Sequence, residues 1–499
     1  MDTLGLYVAR ILILLMGYHF IFPMALYGQG YDKKAKNLDF PNENLEQSFP
    51  NIIIITVDNV GYGDYKLYNK RSPIITPNLD RIAAEGAVLT NFYTAGATCT
   101  TSRATLLTGR IPQRNKLDYQ MNGLADNYGI GLRQSEILLP QVIKNSPGNY
   151  ATAAFGKWNI GFAPGSRPTD RGFDEYLGIV SGNADHFTHV YAGNPDLYHN
   201  TEAVSRSGEY STDMFANAAI DFIKTNAKMS RPWFIYLPFD APHSPGQRNI
   251  PPDELPIFKA PDAAFEPYGI SPDEKDPIMR YHVVVTAIDR AIGRLLSTLD
   301  SLDISKDTFI FFYSDNGANV KAVQERIMGV QFSTNTPLRG GRSTLYEGGI
   351  RIPAVVKWGN KIKPGSLINT RLWSPDFFTA CVKLSGAELP ADRVIDGKNP
   401  LPVLLGETAF SPHATLYFEI GEFDALHWGD WKIVRENTND AWQLFNIKED
   451  VSEANDLALS RPDLVQKLRE TFSQKQREVQ HASAIEENKR VVQTNNYIY

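Results

Sequence analysis

Short, unbroken apolar runs alternate with longer stretches whose apolar residues recur every three or four positions. NIIIITVD (51–58) is β-branched almost throughout, as in a strand buried on both faces of a parallel sheet. TPNLDRIAAEGAVLT (76–90) has helical spacing, with Thr76 as N-cap, Pro77 at the first helical position and Gly86 at the C-cap. The alternation recurs. YATAAFGKW (150–158), RPWFIYLPFDAPH (231–243), DTFIFFYSDNG (307–317) and IRIPAVVKW (350–358) read as strands. STDMFANAAIDFIKTNA (211–227) and the run from Asp276 to Leu302 read as amphipathic helices. This order predicts an α/β fold, a mainly parallel sheet sandwiched by helices.

The pattern changes after about residue 370. Residues 414–447 alternate polar and apolar, as half-exposed antiparallel strands do, and a helix over 461–480 follows. The expected organisation is a signal segment over 1–28, a linker over 29–48 and a large α/β domain over 49–370. A smaller C-terminal α+β subdomain with an antiparallel sheet covers 371–484, and a polar tail 485–499.

Composition sets few limits. The 499 residues are 42% apolar and 21% charged, ordinary for a globular protein. The net charge of −6 argues against a nucleic-acid partner. Arg10 precedes an apolar run that ends in small residues near Ala25 and Gly28, the pattern of an export signal. His19 and Pro23 interrupt that run, so its core is short for a membrane span. The expectation is a periplasmic or extracellular protein with no stable membrane insertion after cleavage. The two cysteines, Cys99 and Cys381, would form one disulfide in such a compartment unless Cys99 has another task.

Functional residues of an open α/β sheet collect beyond the carboxyl ends of its strands. There the chain carries Asp58 and Asn59, then Lys157 and Asn159, then His243, then Asp315 and Asn316. Asp58, Asn59, Asp315 and Asn316 are hard oxygen donors, suited to Ca²⁺ or Mg²⁺ and not to zinc. TCTTSRATLLTGR (98–110) puts Cys99 at a helix start, where the dipole and free N–H groups favour an anion. Residue types alone leave three readings of Cys99: a low-pKa nucleophile, part of an anion-binding turn, or a buried structural thiol.

These motifs in this order resemble the type I, formylglycine-dependent sulfatases of the alkaline phosphatase superfamily, arylsulfatase-like in character. CTTSRATLLTGR is similar to the family signature Cys-x-Pro-Ser-Arg with a following Thr-Gly-Arg. NIIIITVDNVGYGD, GKWNIG, APHSP, SDNGA, PLRGGRSTLYEGGIRIP and GDWKIV fall in the family's order between about residues 50 and 475. The resemblance implies hydrolysis of a sulfate ester of a sugar or aryl alcohol. Cys99 would be oxidised to formylglycine (3-oxoalanine) by a maturation enzyme, and its hydrate would attack sulfur. Arg103 would hold that hydrate, Lys157 and Arg342 would grip the sulfate, and His243 would act as acid or sulfate donor. Asp58, Asn59, Asp315, Asn316 and residue 99 would bind Ca²⁺, with Mg²⁺ as the alternative. Asn159, Asp185, His186 and His189 would contact substrate.

Four positions depart from the family pattern: Asn59 for Asp, Thr101 for Pro, Asn159 for His and Arg342 for Lys. Asn159 matters most, because an amide is no base near neutral pH. Two competing expectations follow. One is a degenerate member that binds sulfated glycans without turnover. The other is a phosphoester or phosphonate hydrolase on the same scaffold.

Overall fold

In the computed structural model, which describes residues 49–244 and 258–495, the run at 51–57 lies near the middle of a ten-stranded sheet. The expected signal segment and linker lie outside the described residues. The first strands are β1 (Asn51–Val57), β2 (Ala87–Leu89), β3 (Ala151–Phe155), β4 (Glu175–Ile179), β5 (Leu197–His199) and β6 (Glu202–Ala203). β7 (Trp233–Pro238), β8 (Thr308–Ser314), β9 (Ala354–Trp358) and β10 (Ser366–Ile368) complete the sheet. Their spatial order is β10-β2-β9-β8-β1-β7-β3-β4-β5-β6. The central neighbours β8, β1, β7, β3 and β4 all run parallel. β9 instead joins β8 antiparallel. It begins only after Pro353, which has no N–H to give a ladder.

Alternation along β1 explains why both faces are apolar. Ile53, Ile55 and Val57 enter one packed layer, and Ile52 and Ile54 enter the other. α1 (Pro77–Glu85), α3 (Ser211–Lys228) and α4 (Pro277–Ser301) cover the first layer. α2 (Cys99–Thr108) and α5 (Pro375–Leu384) cover the second. α5 therefore belongs with the large sheet, although it follows the expected boundary at 370.

The ends of α1 differ from their expected chemistry. Thr76 is the N-cap residue but its hydroxyl makes no cap bond. Asp289 of α4 does that work, accepting the N–H groups of Asn78 at 3.1 Å and Leu79 at 2.8 Å. Gly86 is not left-handed (φ −142°). It is glycine because a Cβ there would stand 2.1 Å from the Val356 carbonyl oxygen.

The second sheet is an antiparallel meander of β11 (Thr415–Ile420), β12 (Phe423–Trp428), β13 (Trp431–Arg435) and β14 (Gln443–Asn446). α6 (Pro462–Asn495) packs on it through Leu464, Leu468 and Phe472. It continues well past 480, into the segment expected as a polar tail. Tyr93, Tyr346 and Trp373 of the large domain share this apolar cluster. A buried ion cluster fastens the same junction. Glu347 accepts the Tyr93 hydroxyl at 2.8 Å and pairs with Lys432 at 3.0 Å, while His427 Nε2 lies 3.1 Å away. Lys432 also pairs with Glu453 at 2.8 Å.

Candidate active site

The carboxyl ends of β1, β3, β7 and β8 open on one edge, so parallel pairing alone gathers Asp58, Lys157, His243 and Asp315 from across the chain. Gly156 lets β3 turn there. Its φ is +130°, and a Cβ would meet the Pro238 carbonyl oxygen at 2.0 Å.

α2 brings the fifth contribution. Cys99 is its first residue, and all ten residues of the helix are buried. Thr98 is the N-cap. Thr101, standing where the family signature has Pro, accepts the Thr98 N–H at 3.3 Å and donates its hydroxyl to the Thr98 carbonyl at 2.9 Å. It closes the first turn by hydrogen bonds where a proline would do so by a fixed φ.

Cys99 Sγ lies 3.4 Å from Asp58 Oδ1, 3.9 Å from Asn59 Oδ1 and 3.4 Å from Arg342 Nη2. Burial pushes its thiol pKa up, while Arg342 pulls it down. Both cysteines are free and buried, so the expected disulfide does not form. Arg103, one turn on, donates to Asp315 at 2.9 Å, to Asp58 at 3.3 Å and to the Lys157 carbonyl at 3.0 Å. Lys157 Nζ donates to Asp58. Burial would raise the Asp58 carboxyl, but Lys157, His243 and Arg103 together hold it well below the usual range. Asp315 is pushed up, first by burial and then by the neighbouring Asp58 charge.

Asp58, Cys99 and Asp315 present ligand atoms all within 4.8 Å of one another. The Asn316 Oδ1 is buried without a partner beside them, while its Nδ2 donates to Asn59 Oδ1 at 2.6 Å. Two crowded carboxylates and an orphaned amide oxygen are a donor set for a hard divalent cation. Asn59 holds a left-handed φ of +64°, which asparagine tolerates. Around this set, Arg103, Lys157 and Arg342 outnumber the two carboxylates, so the centre attracts an anion.

His243 is partly exposed. Its Nδ1 lies 2.7 Å from the Ser244 carbonyl, so Nδ1 carries the proton and Nε2 the lone pair. Burial lowers its pKa to about 4, although Asp58 pulls the other way, so the ring is neutral.

Asn159 is wholly buried and heavily engaged. Its Oδ1 accepts the Thr100 hydroxyl at 3.1 Å and Gln120 Nε2 at 3.3 Å. Its Nδ2 donates to Asn127 Oδ1 at 2.9 Å. Gln120 in turn accepts the Thr100 N–H at 3.3 Å. Thr100, Gln120 and Asn127 carry no sequence signal for this role, because the network spans distant segments of chain.

The remaining expected residues, Asp185, His186 and His189, follow β4 in the chain. Asp185 orders its own turn, accepting the Phe187 and Thr188 N–H groups at 3.0 and 2.8 Å and pairing with Lys259. His186 Nε2 lies 3.8 Å from Asp240, and His189 Nε2 lies 3.1 Å from the Glu209 carbonyl. Both histidines are buried, not in a solvated loop.

Comparison with known proteins places this geometry. The family model described as Sulfatase matches residues 50–387, and that of N-sulphoglucosamine sulphohydrolase, C-terminal, matches 341–481. The chain is 33% identical over 413 residues to the dog (Canis lupus familiaris) N-acetylgalactosamine-6-sulfatase, covering 79% of this chain and 73% of that one. It is 27% identical to the human (Homo sapiens) steryl-sulfatase, covering 81% and 77%. The crystal structure of Ps i-CgsB in complex with k-i-k-neocarrahexaose superposes with a TM-score of 0.75 at 28% identity, covering 85% of this chain and 92% of that one. A match over that length, with the motif residues converging on one strand edge, has one conclusion: the chain belongs to the sulfatase family of sulfate-ester hydrolases.

Proposed function

We propose that this protein is an exported sulfatase that hydrolyses a sulfate ester of a sugar at residue 99, after oxidation of Cys99 to formylglycine. One observation carries the reading: Cys99 Sγ sits between Asp58 and Arg342, at a helix start, inside a cationic cluster. The sugar follows from the relatives, one named for N-acetylgalactosamine 6-sulfate and one bound to a carrageenan oligosaccharide. Export rests on the Arg10-led apolar run. Among the described residues no helix is long and apolar enough to cross a membrane.

Asp58, Asn59, Asp315 and Asn316 would hold a Ca²⁺ ion, which when bound supplies Lewis-acid neutralisation of an oxygen nucleophile at position 99. Formylglycine supplies that oxygen as an aldehyde hydrate. The chain's own residues do the rest. Arg103 fixes the orientation of both acidic ligands. Arg342 sets its guanidinium against the atom that bears charge at position 99, and can grip a sulfate oxygen pair. Lys157 keeps its ammonium buried beside Asp58, where it offsets charge on the transferring group. His243 can take a proton at Nε2 and return it to the departing alcohol oxygen.

A second reading, binding without turnover, draws on Asn159, which offers no base where the family pattern has histidine. One experiment separates the two. The protein is produced beside a formylglycine-generating enzyme, residue 99 is read by peptide mass spectrometry, and the same sample is assayed on monosaccharide sulfates. Aldehyde at 99 with sulfate release abolished by Cys99→Ala supports the sulfatase. Unmodified thiol at 99 with sulfated-glycan binding but no release supports the binder.

A further inference from the structure

The three cations around position 99 are held in different ways. Arg103 and Lys157 pair with Asp58, and Arg103 pairs with Asp315 as well. Arg342 has no such support. Among the described residues its guanidinium forms no ion pair with a carboxylate, and its Nε is buried without a hydrogen bond. Its place beside Cys99 is therefore set by the backbone that carries it.

That backbone is a closed loop. Gly348 donates its N–H to the Arg339 carbonyl at 2.7 Å, which brings the two ends together. At the tip, the Arg342 N–H donates to the Ala318 carbonyl at 2.9 Å, and the Ser343 N–H to the Ala97 carbonyl at 2.8 Å. Between these points Gly340 and Ser343 hold left-handed φ values of +76° and +69°, and Gly341 adds further freedom. Little in the loop's own sequence keeps it in one conformation.

Glu453, in the connection between β14 and α6, clasps both ends. Its Oε2 accepts the Glu347 N–H at 2.7 Å, and its backbone carbonyl accepts Arg339 Nη1 at 3.1 Å. Lys432 pairs with the other carboxylate oxygen at 2.8 Å and keeps the side chain aimed. Glu453 is wholly buried and holds a left-handed φ of +51°, which glutamate rarely adopts. Such a conformation persists only where the surrounding contacts over-determine it. The Arg339 guanidinium also lies over the Tyr346 ring, 4.0 Å from its centroid, and the Tyr346 hydroxyl donates to Gln443 of β14 at 2.6 Å. The C-terminal subdomain thus holds the loop from behind, while the large domain holds its tip.

We propose that Glu453 is a positioning residue for the reaction: by clasping both ends of the 339–348 loop it fixes Arg342 beside residue 99. This rests on the sulfatase reading above, in which Arg342 grips the sulfate.

The test is a double-mutant cycle on the full chain. Glu453→Ala and Arg342→Met are made singly and together. Arg339→Met, which removes one clasp at a half-buried side chain, is paired with Arg342→Met in the same way and keeps the series informative if the alanine variant does not fold. Each protein is assayed for sulfate release from a monosaccharide sulfate and for inhibition by inorganic sulfate, with melting temperature as the check on folding. A displaced Arg342 should cost Glu453→Ala about 10- to 100-fold in kcat, and inhibition by sulfate should weaken in parallel. In the Arg342→Met background the same substitution should change kcat and sulfate inhibition less than about twofold, because the group it positions is gone. A merely structural role would lower both backgrounds alike. Equal losses in the two backgrounds, or folded Glu453→Ala and Arg339→Met variants at the wild-type rate, would overturn the proposal. A wild-type protein that releases no sulfate from any ester would overturn the sulfatase reading itself, and this inference with it.

Discussion

Arg342 reaches across 243 residues of sequence to set its Nη2 3.4 Å from the Sγ of Cys99. The family's usual lysine there would deliver a single point charge. A guanidinium offers a fork that matches two oxygens of a tetrahedral anion. Arg342→Met should therefore lower kcat by about 10²- to 10³-fold, the scale of losing one transition-state donor. Arg342→Lys should recover part of that loss. Steady-state sulfate release from an aryl sulfate gives the comparison, and a variant at wild-type rate would remove Arg342 from the site.

Bound cation should stabilise the fold as well as activate it. Asp58 and Asp315 are crowded, and only the native state collects them. Calcium at 100 times its dissociation constant should add about 2.7 kcal/mol, seen as a rise in Tm with concentration. Asp315→Asn should flatten that rise. A Tm indifferent to both calcium and chelator would count against the ligand set.

Restoring the family histidine at Asn159 should harm the protein, not improve it. Asn159 accepts two hydrogen bonds and donates one, and an imidazole can accept at most one. Asn159→His would leave buried partners unpaired, at about 1–3 kcal/mol. Urea unfolding should show the loss, and Gln120→Ala combined with Asn159→Ala should be less than additive. Faster sulfate release by Asn159→His would mean that the network rearranges around the ring.

The junction between the large sheet and the meander should respond to charge deletion. Lys432→Met leaves Glu347 and Glu453 buried without their shared cation, and should cost about 3–5 kcal/mol. Differential scanning calorimetry on the intact chain reads this directly. A loss below about 1 kcal/mol, the scale of an exposed pair, would mean that water reaches the cluster.

Acid should weaken the same junction through His427. Burial lowers its pKa from 6.5 to about 4, against the pull of Glu347. Its contribution is complete above pH 6.5 and is lost as pH falls toward 4, because the unfolded chain takes up the proton first. Glu453, raised by burial from 4.5 to about 7, acts in the opposite sense and loses stability as pH rises through 7. His427→Gln should therefore lose less stability than wild type between pH 6.5 and 4.5. Equal slopes for the two proteins in urea titrations would contradict this.

Much of the fold is legible in the sequence because parallel strands and amphipathic helices have distinct periodicities. β1, β8 and α4 could be read almost to the residue. β2, β5, β6 and β10 could not, being too short to carry a period. The antiparallel entry of β9 depends on how the chain returns to the sheet, which local pattern does not encode. At the site, Asp58, Cys99, Lys157 and Asp315 are legible because each follows a strand or opens a helix. His186 and His189 lie in a stretch that reads as a polar loop, and only their contacts with Asp240 and Glu209 reveal that they are buried.

What the sequence determined by itself is therefore the set of reactive residue types and the elements that carry them. Those follow from local periodicity and from motif spacing. The tertiary structure alone decided which groups touch: that Arg103 bridges two acidic ligands and that Asn159 is spent on a buried hydrogen-bond network. Hydrogen bonds, ion pairs and steric gaps act over a few ångströms in space, and those distances do not exist until the strands have paired.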